Sequence, residues 1–140
     1  MSKNHFLLAF LCSFCFTLNA SADYIDGQRA YASGDYEAAI LVWTQVAQDG
    51  NARAQYNLGW MHANGRGIAQ DFQEAIKWYT KAAEQGNVNA QYNLGNLYLR
   101  GQGASQNDNL AFSWFIKAAE QGDAPAQYNL GRMYLLGKGG

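Results

Sequence analysis

The sequence predicts an all-α solenoid of stacked repeats, and three observations carry that expectation. The pentapeptide Gln-Tyr-Asn-Leu-Gly stands at Gln55–Gly59, Gln91–Gly95 and Gln127–Gly131, each copy 36 residues from the last. A fixed period of this size marks a supersecondary unit stacked on copies of itself. Between Phe72 and Ala83 the apolar residues Phe72, Ala75, Ile76, Tyr79, Ala82 and Ala83 recur at i, i+3, i+4 and i+7, which is one face of an amphipathic helix. Glycines align at the same period, as Gly50/Gly86/Gly122, Gly65/Gly101/Gly137 and Gly67/Gly103/Gly139. They fall where a chain leaves a helix or turns with positive φ.

Taken in order, the chain opens on Lys3 and His5, then an apolar run of 13 residues from Phe6 to Leu18, then Ala20-Ser21-Ala22. This is the pattern of a secretory signal peptide over residues 1–22, cut before Asp23, and the run is well short of the about 20 residues that span a bilayer. Export through the general secretory route follows, with no stable membrane insertion and the bacterial periplasm as the expected compartment. Both cysteines, Cys12 and Cys15, lie in this segment, so residues 23–140 have no disulfide, no cysteine metal site and no thiol nucleophile. The formal net charge is −1 for the whole chain. Lysines and arginines are scattered singly, a distribution that attracts neither nucleic acid nor an anionic membrane.

Helices are expected over residues 24–33, 36–48, 52–63, 72–85, 88–99, 108–121 and 124–136. Asp71 with Glu74 three residues on has the form of a capping box, and Gly86 ends that helix. The copy at Leu110–Ala119 places Ala111, Trp114, Phe115, Ala118 and Ala119 on the matching face. Pro125, the only proline, falls in a first helical turn behind Asp123 as cap. Gly59, Gly95 and Gly131 sit inside helices at a cost of about 1 kcal/mol each against alanine. The expected compensation is close approach of a neighbouring helix beneath an aromatic ring.

Chemistry is scarce. His62 is the only histidine beyond residue 22, and its counterparts are Tyr98 and Tyr134, so a packed or surface ring is expected rather than a ligand. Without a second histidine or a cysteine, triads and most zinc sites lack their parts. Ser33, Thr44, Thr80, Ser105 and Ser113 remain as hydroxyls, none in a Gly-x-Ser-x-Gly setting. Gly131–Lys138 misses the phosphate-loop spacing by one residue and lacks the serine or threonine after Lys138. Asn107-Asp108-Asn109 is a helix start rather than a calcium loop. Asp71 and Glu74 are helix-start residues, and Glu84 and Glu120, three positions after Lys81 and Lys117, suit a solvated helix face. No cofactor, metal or catalytic residue is assigned.

The pattern Ala-x-x-x-Leu-Gly, Gly-x-Gly, then Ala-x-x-Trp-aromatic-x-x-Ala-Ala-x-x-Gly resembles the Sel-1-like repeat, a longer-looped relative of the tetratricopeptide repeat. The elements here are Ala54/Leu58/Gly59, Gly65/Gly67 and Ala75/Trp78/Tyr79/Ala82/Ala83/Gly86. They recur as Ala90/Leu94/Gly95, Gly101/Gly103 and Ala111/Trp114/Phe115/Ala118/Ala119/Gly122. The division that follows is a tetratricopeptide-like unit at 23–50, with four fewer residues between Gly27 and Asp35 than between Gly59 and Asp71, repeats at 51–86 and 87–122, and a partial one at 123–140. The resemblance implies a right-handed superhelix of antiparallel helix pairs whose first helices line a concave face. It also implies a non-catalytic adaptor or assembly factor that binds a protein or an extended peptide. The alternative from cysteine-rich secreted relatives is a hydrolase acting on cell-wall or β-lactam material.

Most aromatics repeat between copies and are assigned to packing: Trp43, Tyr79 and Phe115 at one position, Tyr56, Tyr92 and Tyr128 at another. Trp60 differs, because its equivalents are Asn96 and Arg132. A position that varies between copies is less tied to the stack, so the partner-binding surface is placed at Trp60, Asn96 and Arg132, supported by Asn57, Asn93 and Gln55, with Arg100 at its margin. The final helix has no second helix of its own pair in residues 123–140. Met133, Tyr134, Leu135 and Leu136 are apolar for a capping surface, so the expectation is either that the sequence is a fragment of a longer array or that another chain covers this end, with self-association through these residues as a further reading and a plain solvent-facing last helix as the alternative.

Overall fold

The computed structural model describes residues 23–139, and the signal-peptide reading of residues 1–22 lies outside them. The six helices from residue 36 onward each have a start signal in the repeat. Asp35, Asn51, Asp71, Asn87, Asn107 and Asp123 are N-caps, and each side-chain oxygen accepts a hydrogen bond from a backbone N–H in the first turn. Such caps stabilise a helix by about 1 kcal/mol each. The stop signals alternate. Gly65 and Gly101 end their helices in the left-handed region at φ 61° and 65°, whereas Asp49, Gln85 and Gln121 cap theirs ahead of a positive-φ glycine. The helices are α1 (residues 23–32), α2 (Tyr36–Gln48), α3 (Ala52–Asn64), α4 (Phe72–Glu84), α5 (Val88–Arg100), α6 (Asp108–Glu120) and α7 (Ala124–Leu135). Every expected helix is present with ends shifted by no more than one residue, and the described residues contain no strand.

One expected local detail is only half formed. The Asp71 carboxylate accepts from the Gln73 and Glu74 amides, but the Glu74 carboxylate pairs with Lys77 on the next turn instead of reaching back to the cap. The Asp123 cap and Pro125 in the first turn of α7 stand as expected.

Consecutive helices pack on one another to form a solenoid of antiparallel helix pairs, α3 with α4 and α5 with α6, joined through α4 to α5 and α2 to α3. Two kinds of contact make up the stack. Inside a pair, the ring of the second helix lies on the mid-helix glycine of the first: Trp43 on Gly27, Tyr79 on Gly59 and Phe115 on Gly95. A Cβ placed on Gly59 would stand 2.6 Å from a Tyr79 ring carbon, and one on Gly95 would stand 2.7 Å from Phe115, so only glycine fits. Tyr56 and Tyr92 pack against the same rings, at centroid separations of 5.8 and 5.9 Å. These rings close a pair, and contact between units is made by alanines together with larger apolar side chains. Ala82 and Ala83 of α4 meet Ala90, Leu94 and Leu97 of α5 in one buried cluster, and Ala39, Trp43, Val46 and Ala47 of α2 meet Ala54, Leu58 and Met61 of α3 in another.

Glutamines tie the units at one edge. Gln55 donates through Nε2 to the Ala47 carbonyl at 3.0 Å, and Gln85 donates both to the Gly50 carbonyl at 2.9 Å and to Gln55 Oε1 at 2.8 Å. Gln91 and Gln121 repeat the arrangement on Ala83 and Gly86, and Gln127 donates to Ala119 at 3.3 Å. Buried amides that are fully paired fix register, because leaving one unpaired costs about 1–3 kcal/mol.

The ring-on-glycine contact sets an expectation for stability. Gly59→Ala and Gly95→Ala each gain about 1 kcal/mol of helix propensity, but push a methyl group into a buried ring that has no room to turn, at an overpacking cost of about 1–3 kcal/mol or more. Both variants should unfold at a lower temperature than the parent chain in a calorimetric scan; a rise in either would show that the ring can move aside.

Candidate functional site

Trp60, Asn96 and Arg132 occupy the same turn of α3, α5 and α7, the first helices of successive pairs. Three hollows follow that face. One of about 320 Å³ lies between α1 and α3 against Tyr24, Tyr31, Tyr56, Asn57 and Trp60. The next, of about 250 Å³, lies between α3 and α5 and is lined by Trp60, Phe72, Asn93, Asn96 and Arg100. The third, of about 200 Å³, lies between α5 and α7 with Leu99, Asn129 and Arg132 in its wall. Trp60 is common to the first two. A larger hollow of about 710 Å³ runs along α2 past Ile40, Leu41 and Val42 and shares no residue with these three.

The lining is aromatic at the amino-terminal end and polar beyond it. Trp60 is half-buried, with the Tyr31 ring edge-on at 6.3 Å, and Tyr31 in turn stacks on Trp43 at 5.7 Å. The asparagines are half-buried and already hold neighbours. Asn57 donates to the Tyr24 hydroxyl at 3.4 Å, Asn93 to the Tyr79 hydroxyl at 3.2 Å, and Asn129 to Asn96 Oδ1 at 3.4 Å. Arg100 and Arg132 are exposed, and the Arg132 guanidinium lies 5.9 Å from the Tyr128 ring centroid.

Two placements need correction. Gln55 is 4% exposed with its amide and carbonyl spent on Ala47 and Gln85, so it is a structural residue at the edge of the stack and offers nothing to a groove. Met133, expected on an exposed apolar end, is 2% exposed in the cluster around Phe115, because it continues the i, i+4, i+7 phase of Ala126 and Leu130. Tyr134, Leu135 and Leu136 are exposed, as expected. Lys81, Glu84, Lys117 and Glu120 are exposed, as a solvated face has them, and the two lysines also meet indoles. Their ammonium groups stand over the Trp78 and Trp114 rings at 4.8 and 4.4 Å, contacts of about 0.5–1 kcal/mol at exposed sites. Reading the sequence did not assign Tyr24 and Tyr31 to the groove. Tyr31 stands where later units have Ala63 and Leu99, so no repetition announces it.

His62 is half-buried at the last turn of α3, and its Nδ1 has no hydrogen-bond partner among the described residues. Among the described residues no three His, Cys, Asp or Glu side chains converge as a metal cluster would require, and no helix is long and apolar enough to cross a membrane.

Comparison with known proteins gives a consistent picture. The model of the Sel1 repeat matches residues 52–87, 88–123 and 124–140. A Sel1 repeat protein from Oxalobacter formigenes is 34% identical in sequence over 98% of this chain and 58% of its own, with a TM-score of 0.82. A protective antigen of uropathogenic Escherichia coli strains, with an SLR fold, is 38% identical over 83% of this chain, TM-score 0.77. The chain spans only 26% of that antigen's length. Helicobacter pylori cysteine rich protein B, 19% identical with a TM-score of 0.68, shares the fold. No curated protein matches.

Tyr79, whose hydroxyl meets Asn93 beside the second hollow, also carries the largest proton-affinity change. Burial first, then the neighbouring Tyr56, pushes its ionisation well above the ordinary tyrosine value, against the lowering effect of the Asn93 hydrogen bond. Tyr56 is raised as well, again by burial. The folded chain keeps these protons past about pH 10, where an unfolded tyrosine gives its proton up. Stability is therefore unaffected below that pH and falls as pH rises above it. Tyr79→Phe should flatten the fall in melting temperature between about pH 9 and 11, leaving the smaller part due to Tyr56. Parallel curves for the two proteins would remove Tyr79 as the cause.

Proposed function

The chain belongs to the Sel1 repeat family, and on that premise we propose that it is an exported, non-catalytic adaptor or assembly factor that holds an extended segment of another protein along the face of Trp60, Asn96 and Arg132. Sel1 repeats commonly mediate protein–protein interaction and are generally non-catalytic scaffolds. The observation that carries the reading for this chain is the run of three hollows along the first helices, with Trp60 as the wall between the first two, Arg100 exposed at the second and Arg132 exposed at the third. An indole ring beside amide and guanidinium donors suits an extended peptide with an acidic group, since charge-assisted hydrogen bonds from arginine give both direction and strength. The bacterial periplasm is the compartment proposed, supported by the form of residues 1–22. Residues 23–50 act in this reading as a shorter-looped first unit whose α1 supplies Tyr24 and Tyr31. Exposure of Tyr134, Leu135 and Leu136 supports a second reading, self-association of the array through that end.

Crosslinking and affinity capture from the native envelope would test the groove, with the parent chain beside a Trp60→Ala, Asn96→Ala, Arg132→Ala variant. Because Trp60 also packs against two core clusters, an Arg100→Ala, Arg132→Ala variant, altered only at exposed positions, serves as the fold-neutral partner. A protein captured by the parent and lost with both variants is the expected result. Equal capture by all three would move the site off this face. Sedimentation over a range of concentrations checks the second reading, which a constant monomer mass would end.

A further inference from the structure

Four aromatic rings of the chain are each met by one of its own cations. Arg66 lies over Tyr36, Lys81 over Trp78, Lys117 over Trp114 and Arg132 over Tyr128, at 4.4 to 5.9 Å from the ring centroids. The first hollow of the groove differs. Tyr24, Tyr31, Tyr56 and Trp60 stand in its wall, and among the described residues no lysine or arginine lies over any of the four. Its lining has no charged side chain; Arg29, beside the wall residue Gln28, is paired with Asp26 at 3.0 Å. The rings are held from behind. Tyr24 and Tyr31 both stack on the buried Trp43, at 6.3 and 5.7 Å, and Tyr31 meets Trp60 at an interplanar angle of 79°, so these two walls form a corner. Asn57 donates to the Tyr24 hydroxyl at 3.4 Å, which leaves its own Oδ1 without a donor among the described residues. Aromatic faces and an amide oxygen are both electronegative. Walls of this kind, with no cation of their own, attract a positive charge.

We infer that the first hollow is a subsite for an arginine side chain of the segment held in the groove, an inference that rests on the peptide-binding reading of that face. A guanidinium matches both parts of the wall, because its flat face packs on an aromatic ring while its N–H groups reach an amide oxygen. The rest of the groove has the opposite sign, with Arg100 at the second hollow and Arg132 at the third. The bound segment therefore carries its charges in order, basic against α1 and α3 and acidic toward α5 and α7. Successive first helices touch, α1 and α3 through Tyr24 and Asn57, α3 and α5 directly, and α5 and α7 through Asn96 and Asn129. Touching helices lie about 8–10 Å apart, which an extended chain covers in about three residues. An arginine with carboxylates at about the third and sixth positions along, in either chain direction, fits that spacing.

The probe is a fluorescently labelled heptapeptide, Arg-Ser-Gly-Asp-Ser-Gly-Asp, titrated by anisotropy into the chain purified from its native envelope. Beside it stand a peptide with citrulline, the uncharged isostere, in place of arginine, and one with leucine there. Saturable binding of the arginine peptide is expected, weakened about three- to thirtyfold by either replacement. Charge at the wall gives an independent readout. Gln28 is exposed, so Gln28→Lys and Gln28→Glu should keep the melting temperature, while the first weakens and the second strengthens binding of the arginine peptide, a pattern the citrulline peptide does not follow. Equal binding of all three peptides, abolished by Arg100→Ala with Arg132→Ala, would overturn the arginine subsite and leave the groove standing. Tighter binding of the leucine peptide would make the hollow an apolar pocket and overturn the inference as well. Absence of saturable binding by any of the three also overturns it, while capture from the envelope reports on the groove separately.

Discussion

The contact between an aromatic ring and the middle of a glycine-bearing helix is the constraint on which the rest of the structure depends. Burying such a ring removes about 150–250 Å² from water, worth about 4–6 kcal/mol as an upper estimate. The glycine beneath it costs about 1 kcal/mol. The balance favours a glycine wherever it lets a ring come close, and the chain uses that balance with three different rings, Trp43, Tyr79 and Phe115. Ring identity can vary because the socket asks for a flat apolar surface; the glycine cannot, because its missing Cβ is the socket.

The groove follows from the same geometry. Each interior first helix is braced by two second helices, α3 by α2 and α4, and α5 by α4 and α6. Packing therefore occupies one side of it, with Ala54, Leu58 and Met61 in α3 and Ala90, Leu94 and Leu97 in α5. The side left over is where residue identity is released from the needs of the stack, and there the copies diverge into indole, amide and guanidinium. An array built by repetition gains a distinctive surface only at such positions.

Helices, caps and the ring-on-glycine contact were legible in the sequence because each rests on local spacing repeated in register. The errors came where residue type alone does not fix direction. Gln55 is polar and lies in the same pentapeptide as Asn57, yet one points into the edge of the stack and the other toward the groove. Its identity in all three copies, together with the aligned pair Gln85 and Gln121, was the available sign of a structural role. Met133 was grouped with its apolar neighbours by composition, although helical phase separates it from Tyr134, Leu135 and Leu136. Tyr31 was illegible because it belongs to one unit alone.

The glutamine bonds give the array a direction. Gln85 hands a proton donor to Gln55 and another to Gly50, and Gln55 hands its own to Ala47, so every side-chain donor in the series points toward the amino-terminal unit. The joints of α2 with α3 and of α4 with α5 then carry the same set of bonds, with the same donors on one side and the same carbonyls on the other. A gene encoding such a chain can gain or lose copies by in-frame recombination in steps of one whole period and leave every surviving joint intact. Copy number is thus a variable that the fold tolerates, and the length of the face formed by the first helices changes with it.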